Sequence, residues 1–211
     1  MYLGRIVAVG MNRAGKVAAM YRVSSRSFPN RETVINGEVV SVIPKAGFES
    51  DLRRNCYIAY NCARLPRHYA VASNGSHTDP IAEKIAMGMP VRDAVALGLL
   101  AMDYEKDSLD TPRIVAVVNR DGNDAFLGIV RKDALLVREF ALQPGQAFYL
   151  STYEKNQPAD DNVDAAYDAA TAEAACRYVI SGGVFAGFTN AVTAAAAMAT
   201  ADGFALASTV A

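Results

Sequence analysis

Residues 21 to 31, YRVSSRSFPNR, carry three arginines and three serines and no carboxylate. Guanidinium forks hold oxyanions through two parallel hydrogen bonds and hydroxyls complete the shell, so such a run suits phosphate or another anionic group. If 16–24 is a strand, alternation places Val17, Ala19, Tyr21 and Val23 on one face and Met20, Arg22 and Ser24 on the other. Arg22 then projects from a sheet, where a buried charge must be paired. Ser25, Arg26 and Ser27 continue as donors, and Pro29-Asn30 turns the chain so that Arg31 can point back. The plainer alternative leaves Arg26 and Arg31 on a solvated loop while Arg22 snorkels or meets an internal acid. Residue types alone leave both readings open.

A second group is MDYEKDSLD, 102–110, which ends a helical pattern with acids where the macrodipole favours bases. A solvated helix end with Asp103 and Lys106 in i,i+3 contact is one explanation. If one acid instead turns inward, repulsion at the helix end and desolvation both raise its pKa, which makes it a proton donor and acceptor near neutrality. Glu105 is the candidate, flanked by Asp103 and Asp107.

Two more stretches have the right residue types. SNGSHTDP, 73–80, offers Asn74, Gly75 and Ser76 as a competing anion loop ahead of a helix with Asp79 as N-cap and Pro80 at its first position, although capping alone accounts for the pattern. His77 has no partner visible in sequence and reads as a loop or capping residue. In NCYIAYNCAR, 55–64, strand alternation puts Tyr60 and Cys62 opposite Tyr57 and Asn61. Tyrosines there usually pack, and Cys62 is either a small buried hydrophobe or a thiol nucleophile without a nearby histidine.

The elements that must position these residues are strand-rich at first. Runs at 2–11 and 16–24 form a hairpin about Asn12-Arg13-Ala14-Gly15, and strands follow at 33–43, 56–63 and 67–73. From Pro80 the apolar spacing becomes helical, in two helices broken by Gly88-Met89-Pro90. Four strands, 113–119, 124–131, 134–140 and 146–151, a helix over Asp164–Ile180 and a last helix at roughly 190–200 complete the reading. No βαβ rhythm occurs, so the class is α+β, with two antiparallel sheets between helical layers. The polar stretch near 155 leaves too little chain beyond it for a separate core, which points to one domain over 1–211.

Bulk properties narrow the function. A formal net charge of −1 gives no global field for nucleic acid. Three cysteines without paired spacing and two histidines argue against a metal or another cofactor. No signal segment or long apolar run appears, so the expectation is a cytoplasmic protein without a membrane partner. P-loop, Rossmann, zinc-protease and nucleophile-elbow motifs are all missing.

Taken together, YRVSSRSFPNR, YNCAR, SNGSHTD and LLAMDYEKDSLDTPR, with the GRIVAVG start and the late FTNAVTAAAA, resemble the archaeal-type IMP cyclohydrolases over essentially the whole chain. The resemblance implies closure of 5-formamidoimidazole-4-carboxamide ribotide (FAICAR) to IMP with loss of water, the last step of purine synthesis. It also implies a four-layer αββα fold of the N-terminal-nucleophile hydrolase type, with the substrate between the sheets. That class attacks with a terminal Cys, Ser or Thr, whereas this chain begins Met1-Tyr2. Ring closure needs no enzyme nucleophile, because the carboxamide nitrogen of the substrate attacks its own formyl carbon. By resemblance, Arg31 polarises the formyl oxygen and Glu105 shuttles the proton. By residue type, Arg22, Ser25 and Arg26 go to the phosphate or nearby anionic groups, and Tyr60 and Asn61 to the base, Tyr60 also as a catalytic group; Asn74, Gly75 and Ser76 are the rival phosphate loop. The expected partner is a small-molecule nucleotide, FAICAR or IMP, with a homo-oligomer left open. The rival readings are a non-catalytic purine-nucleotide-binding module and an amidohydrolase of the same fold using Cys62.

Overall fold

The structure, a computed structural model, describes residues 1–211. It opens with the hairpin β1 (Ile6–Met11) and β2 (Val17–Ser24), turned at Gly15, whose φ of +80° suits glycine. A second hairpin joins β3 (Arg31–Asn36) to β4 (Val39–Pro44). Then come the single turn α1 (Asp51–Arg54), a 3-10 turn at Cys56–Ile58, β5 (Tyr60–Arg64) and β6 (Tyr69–Ser73). The helices α2 (Thr78–Ala86) and α3 (Val91–Met102) lead to β7 (Arg113–Asn119), β8 (Asp124–Arg131), β9 (Ala134–Ala141) and β10 (Gln146–Ser151). The chain finishes with β11 (Val163–Asp164), α4 (Ala172–Ser181), β12 (Ala191–Ala199) and β13 (Phe204–Val210).

All pairings are antiparallel and form two sheets, one in the order β11-β10-β1-β2-β12-β13 and the other in the order β3 to β9. Their facing sides share a core that includes Val7, Tyr21, Val42, Cys62, Ile114 and Leu127. On the outer side of the first sheet α4 buries Ala175, Cys176 and Val179, and on the outer side of the second sheet α2 and α3 bury Ile81, Ile85, Val95 and Leu99. Helix, sheet, sheet, helix is therefore the layer order. It is the α+β class that the element order implies, because each sheet has two apolar faces to cover.

Strands 113–119, 124–131 and 146–151 lie where the sequence puts them. Other expectations need correction. The run 33–43 is a hairpin, turned by Gly37 at φ +59°. The helix over Asp164–Ile180 is confined to Ala172–Ser181, where Thr171 accepts a hydrogen bond from the Ala174 N–H, and Asp164 belongs to the edge strand β11. Asp79 sits inside the first turn of α2 rather than capping it.

The largest reversal is 190–200, which is the strand β12. Alanine favours helix as an isolated preference. Here the stretch lies between β2 and β13, with Ala195 and Ala197 in the inter-sheet core and Ala194 and Ala196 under α4. A segment buried on both faces has no polar side to offer as an amphipathic helix, and its small side chains let layers approach from both directions.

The alternation assigned to β2 holds, and it removes Arg22 from the nucleotide-binding role. Tyr21 and Val23 face the opposite sheet, while Arg22 points to the α4 side with Met20. The Arg22 guanidinium donates to the carbonyls of Val179, Ile180, Phe185, Phe188 and Thr189 at 2.7–3.4 Å, and its Nε donates to Ser24 Oγ. Val179 and Ile180 lie in the last turn of α4, whose carbonyls lack intrahelical donors and carry the negative end of the dipole. Arg22 is thus a C-terminal cap delivered from a neighbouring strand. Arg22→Met should lower unfolding free energy by about 3 kcal/mol or more, because several buried carbonyls lose their donor together. Denaturant titration checks this, and the KM of the folded fraction should stay unchanged.

Candidate active site

Strand directions bring chemistry to one end of the sandwich. Arg5 immediately precedes β1, β2 ends at Ser24, and β3, β5 and β7 begin at Arg31, Tyr60 and Arg113. Behind α3 the chain breaks at Asp103, in the left-handed region at φ +53°, and enters a loop fastened from within. Asp107 accepts from the backbone N–H of Leu109 and Thr111 and from the Thr111 hydroxyl, and the Glu105 N–H donates to Thr111 O at 2.8 Å. Asp103 and Lys106 pair on the solvent side, as their spacing suggests. Glu105 is the acid that turns inward, and it is fully buried.

Its Oε2 accepts a hydrogen bond from Arg5 Nη2 at 3.0 Å, while Oε1 has no partner. The Arg5 backbone is held in turn by Thr152, just beyond the paired strand β10: its N–H donates to Thr152 Oγ1 and its carbonyl accepts from the Thr152 N–H. Arg31 is 2 % exposed; its Nε donates to Phe28 O at 3.0 Å and its Nη1 has no partner. The Tyr60 and Tyr21 hydroxyls are 2.6 Å apart.

Electrostatics follow from this crowding. Burial pushes the Glu105 carboxyl up to about 7, against the pull of the Arg5, Arg113 and Arg31 charges. Burial likewise raises the Tyr60 phenol, while Arg31 and Arg5 draw it down. Three guanidinium groups thus act on the Glu105 carboxyl, with Asp107 the one opposing carboxylate. The surplus of positive charge suits an anion or an oxygen on which charge develops.

A cavity of about 130 Å³ opens onto this group. Arg5 and Arg31 line it, with Ser25, Arg26 and Ser27 on one side and Asp107 on the other. Arg26 is exposed, meets no carboxylate and stacks over the Tyr2 ring at 4.2 Å. A larger cleft of about 440 Å³, lined by Arg67, Arg120 and Phe204, lies at the opposite end of the strands and contains no buried charge.

Several sequence assignments separate here. Arg31, Ser25 and Arg26 line the cavity, and Glu105 and Tyr60 lie beside its Arg5 and Arg31; Asn61 and the 74–76 loop join neither group. The Asn61 amide is held between Ser41 and Asp79 on the α2 side of its sheet, opposite Tyr60, because adjacent strand residues face opposite ways. Asn74 is buried and spends its amide on Pro112 O and the Ile114 N–H, which ties its loop to β7. Ser76 is exposed outside the cavity lining. His77 is a buried core residue bonded through Nε2 to Ile114 O, and burial, with the nearby Arg113 charge, pushes it down to about 3. Cys62 is sealed in the inter-sheet core and burial pushes its thiol up, so it supplies no thiolate.

Arg5, Tyr21 and Arg113 are the residues that sequence reasoning missed. A signal existed for Arg5: a lone charge at the head of the apolar run IVAVG needs an internal partner, as does an inward Glu105.

Comparison with known proteins supplies the family. A model described as "IMP cyclohydrolase-like protein" matches residues 2–203. The chain belongs to that family. A protein from Methanosphaera stadtmanae named IMP cyclohydrolase is 49% identical over 197 residues, spanning 93% of this chain and 94% of its own. One of the same name from Methanocella arvoryzae is 53% identical over 166 residues, 78% of this chain and 80% of its own. Another, from Halobacterium salinarum, is 47% identical over 195 residues, 92% and 90% of the two chains. In this family member no helix is long and apolar enough to cross a membrane.

Gly75 contributes space to the site rather than a ligand. A Cβ there would run into the Arg113 guanidinium, which stands against Tyr57 at 5.6 Å and adds to the field at Glu105. Gly75→Ala should therefore cost about 1–3 kcal/mol through overpacking beside Arg113. Thermal and denaturant unfolding will show it, and an unchanged stability would mean that Arg113 has room to move.

Proposed function

We propose that this chain is an IMP cyclohydrolase that closes FAICAR to IMP with loss of water. The observation that carries the reading is the buried Glu105, one oxygen held by Arg5 and the other free, in a cluster with an Arg31 that keeps an unpartnered nitrogen. A binding module has little use for a carboxyl pushed up to about 7. A proton shuttle needs one.

The chemistry sets three demands. The carboxamide nitrogen must lose a proton as it bonds to the formyl carbon, the formyl oxygen must be stabilised as it gathers charge and takes up a proton, and the resulting carbinol must expel its hydroxyl as water while the former formamide nitrogen gives up its proton to form the C=N bond. Ionised Glu105 takes the proton through Oε1 and returns one to the leaving hydroxyl. Arg31, with its free Nη1, polarises the formyl oxygen. Tyr60 donates to the same oxygen. Arg5 fixes the Glu105 rotamer, so the remaining acceleration is positional: formyl and carboxamide groups are held where they touch.

At about 130 Å³ the cavity suits the reacting end of the substrate and is smaller than the space a whole nucleotide fills. The ribose phosphate then lies across the rim, where Ser25, Ser27 and the exposed Arg26 provide donors. Both sheets supply site residues, so the 211 residues act as one catalytic domain on a free nucleotide in the cytoplasm, with no nucleic acid involved. The four-layer order agrees with an N-terminal-nucleophile hydrolase scaffold, and the proposed closure draws on no nucleophile from the protein. An amidohydrolase would need the Cys62 thiolate, which burial disfavours.

An ultraviolet assay of hypoxanthine-ring formation from FAICAR, without metal or ATP, tests the function; no ring formation by the folded protein would overturn it. Because burial raises the Glu105 pKa, kcat/KM should climb with pH and level off above about 7. Glu105→Gln should reduce kcat by about 100-fold or more at every pH and abolish that limb. In the same assay Arg26→Ala should raise KM while leaving kcat within about twofold, the signature of uniform binding. Unchanged KM would move the phosphate elsewhere.

A further inference from the structure

Tyr21 belongs to none of the roles assigned so far, yet its hydroxyl ends 2.6 Å from that of Tyr60. Both rings stand between the sheets, Tyr21 from β2 and Tyr60 from β5, with centroids 6.4 Å apart. A phenol has one proton to give. Tyr60 is 9% exposed and Tyr21 is fully buried, with no polar contact other than Tyr60. Were Tyr60 the donor, the Tyr21 proton would be shut in the core without an acceptor, which is penalised. With Tyr21 donating, its proton lies in the bond, and the proton left free is that of Tyr60, the less buried of the two, which stands near Arg31 and Arg5 of the cavity lining.

We propose that Tyr21 is a positioning residue for ring closure, donating its proton to the Tyr60 oxygen so that Tyr60 presents its own proton to the reacting oxygen of the substrate. A donor behind Tyr60 also stabilises negative charge on that oxygen as its proton is drawn away, since hydrogen bonds in a chain polarise one another. The inference rests on the cyclohydrolase reading, in which Tyr60 touches the substrate and Tyr21 acts through it.

A double-mutant cycle in the ring-closure assay tests it. Tyr60→Phe should lower kcat about 100-fold, the loss expected for one donor to a developing oxyanion. Tyr21→Phe should lower kcat about tenfold with KM within about twofold, and it should cost nothing further in the Tyr60→Phe background. A purely structural role would instead lower Tm, and its effect would add to that of Tyr60→Phe. Wild-type kcat in Tyr21→Phe, or additive losses, would overturn the proposal.

One measurement needs no turnover. In the proton NMR spectrum the buried hydroxyl proton of the pair should show cross-relaxation to the ε protons of the Tyr21 ring, its own ring. Assignment of that bonding proton to Tyr60 would sink the inference even if the chain cyclises FAICAR. A chain that shows the Tyr21 proton but no cyclisation would sink the function while leaving the direction of the hydrogen bond supported.

Discussion

The contact between Arg5 and Glu105 governs this end of the molecule. A carboxyl group buried without a partner is penalised by several kcal/mol, and its ordinary escape is to stay protonated. One hydrogen bond from Arg5 at 3.0 Å, with Arg113 and Arg31 nearby, makes the ionised form accessible near neutrality without making it dominant. The balance demands that the loop carrying Glu105 and the segment carrying Arg5, 100 residues apart in the sequence, meet in fixed register. Thr152 supplies one fastening and Asp107 the other. Much of the irregular structure around the cleft can be understood as the means of keeping that pair in place.

Two buried arginines from the same short stretch show how little separates scaffold from site. Arg22 and Arg31 both leave solvent almost completely. Arg22 spends its donors on carbonyls at and beyond the end of α4, so its charge is used up inside the fold. Arg31 bonds Phe28 O through Nε and retains a nitrogen without a partner. The difference arises from strand alternation: the even-numbered side chains of β2 face the helix, and β3 begins in the other sheet.

The same contrast explains what could be read from the sequence. Strands with clear turn signals, such as 113–119 and 124–131, are legible because period and punctuation agree. The Ala-rich strand β12 is not, since its conformation is imposed by neighbours on both sides rather than by its own preference. At the candidate site, residue type and family resemblance single out Glu105, Arg31 and Tyr60, and the structure brings the three to one end of the sandwich. Asn61 and Asn74 were misplaced because an amide next to a turn looks the same whether it binds a ligand or ties two strands together. Arg5 and Tyr21 escaped notice because each lies in an apolar run whose dominant message is burial.

The surplus of positive charge fits a reaction whose nucleophile is the substrate's own. In the proposed reaction the attacking nitrogen belongs to the substrate, so the protein has to supply a proton acceptor and a field that tolerates charge on oxygen. Three guanidinium groups near Glu105 provide that field before substrate arrives; that of Arg31 is tied to Phe28 O through Nε and that of Arg5 to Glu105 itself. Such charges need not reorganise during the reaction, whereas water would have to, and that is the physical advantage of keeping them in a small cavity. The cost is borne by the fold, which must bury arginines incompletely paired; the Arg31 and Arg5 charges in turn draw the Tyr60 phenol down against the burial that raises it.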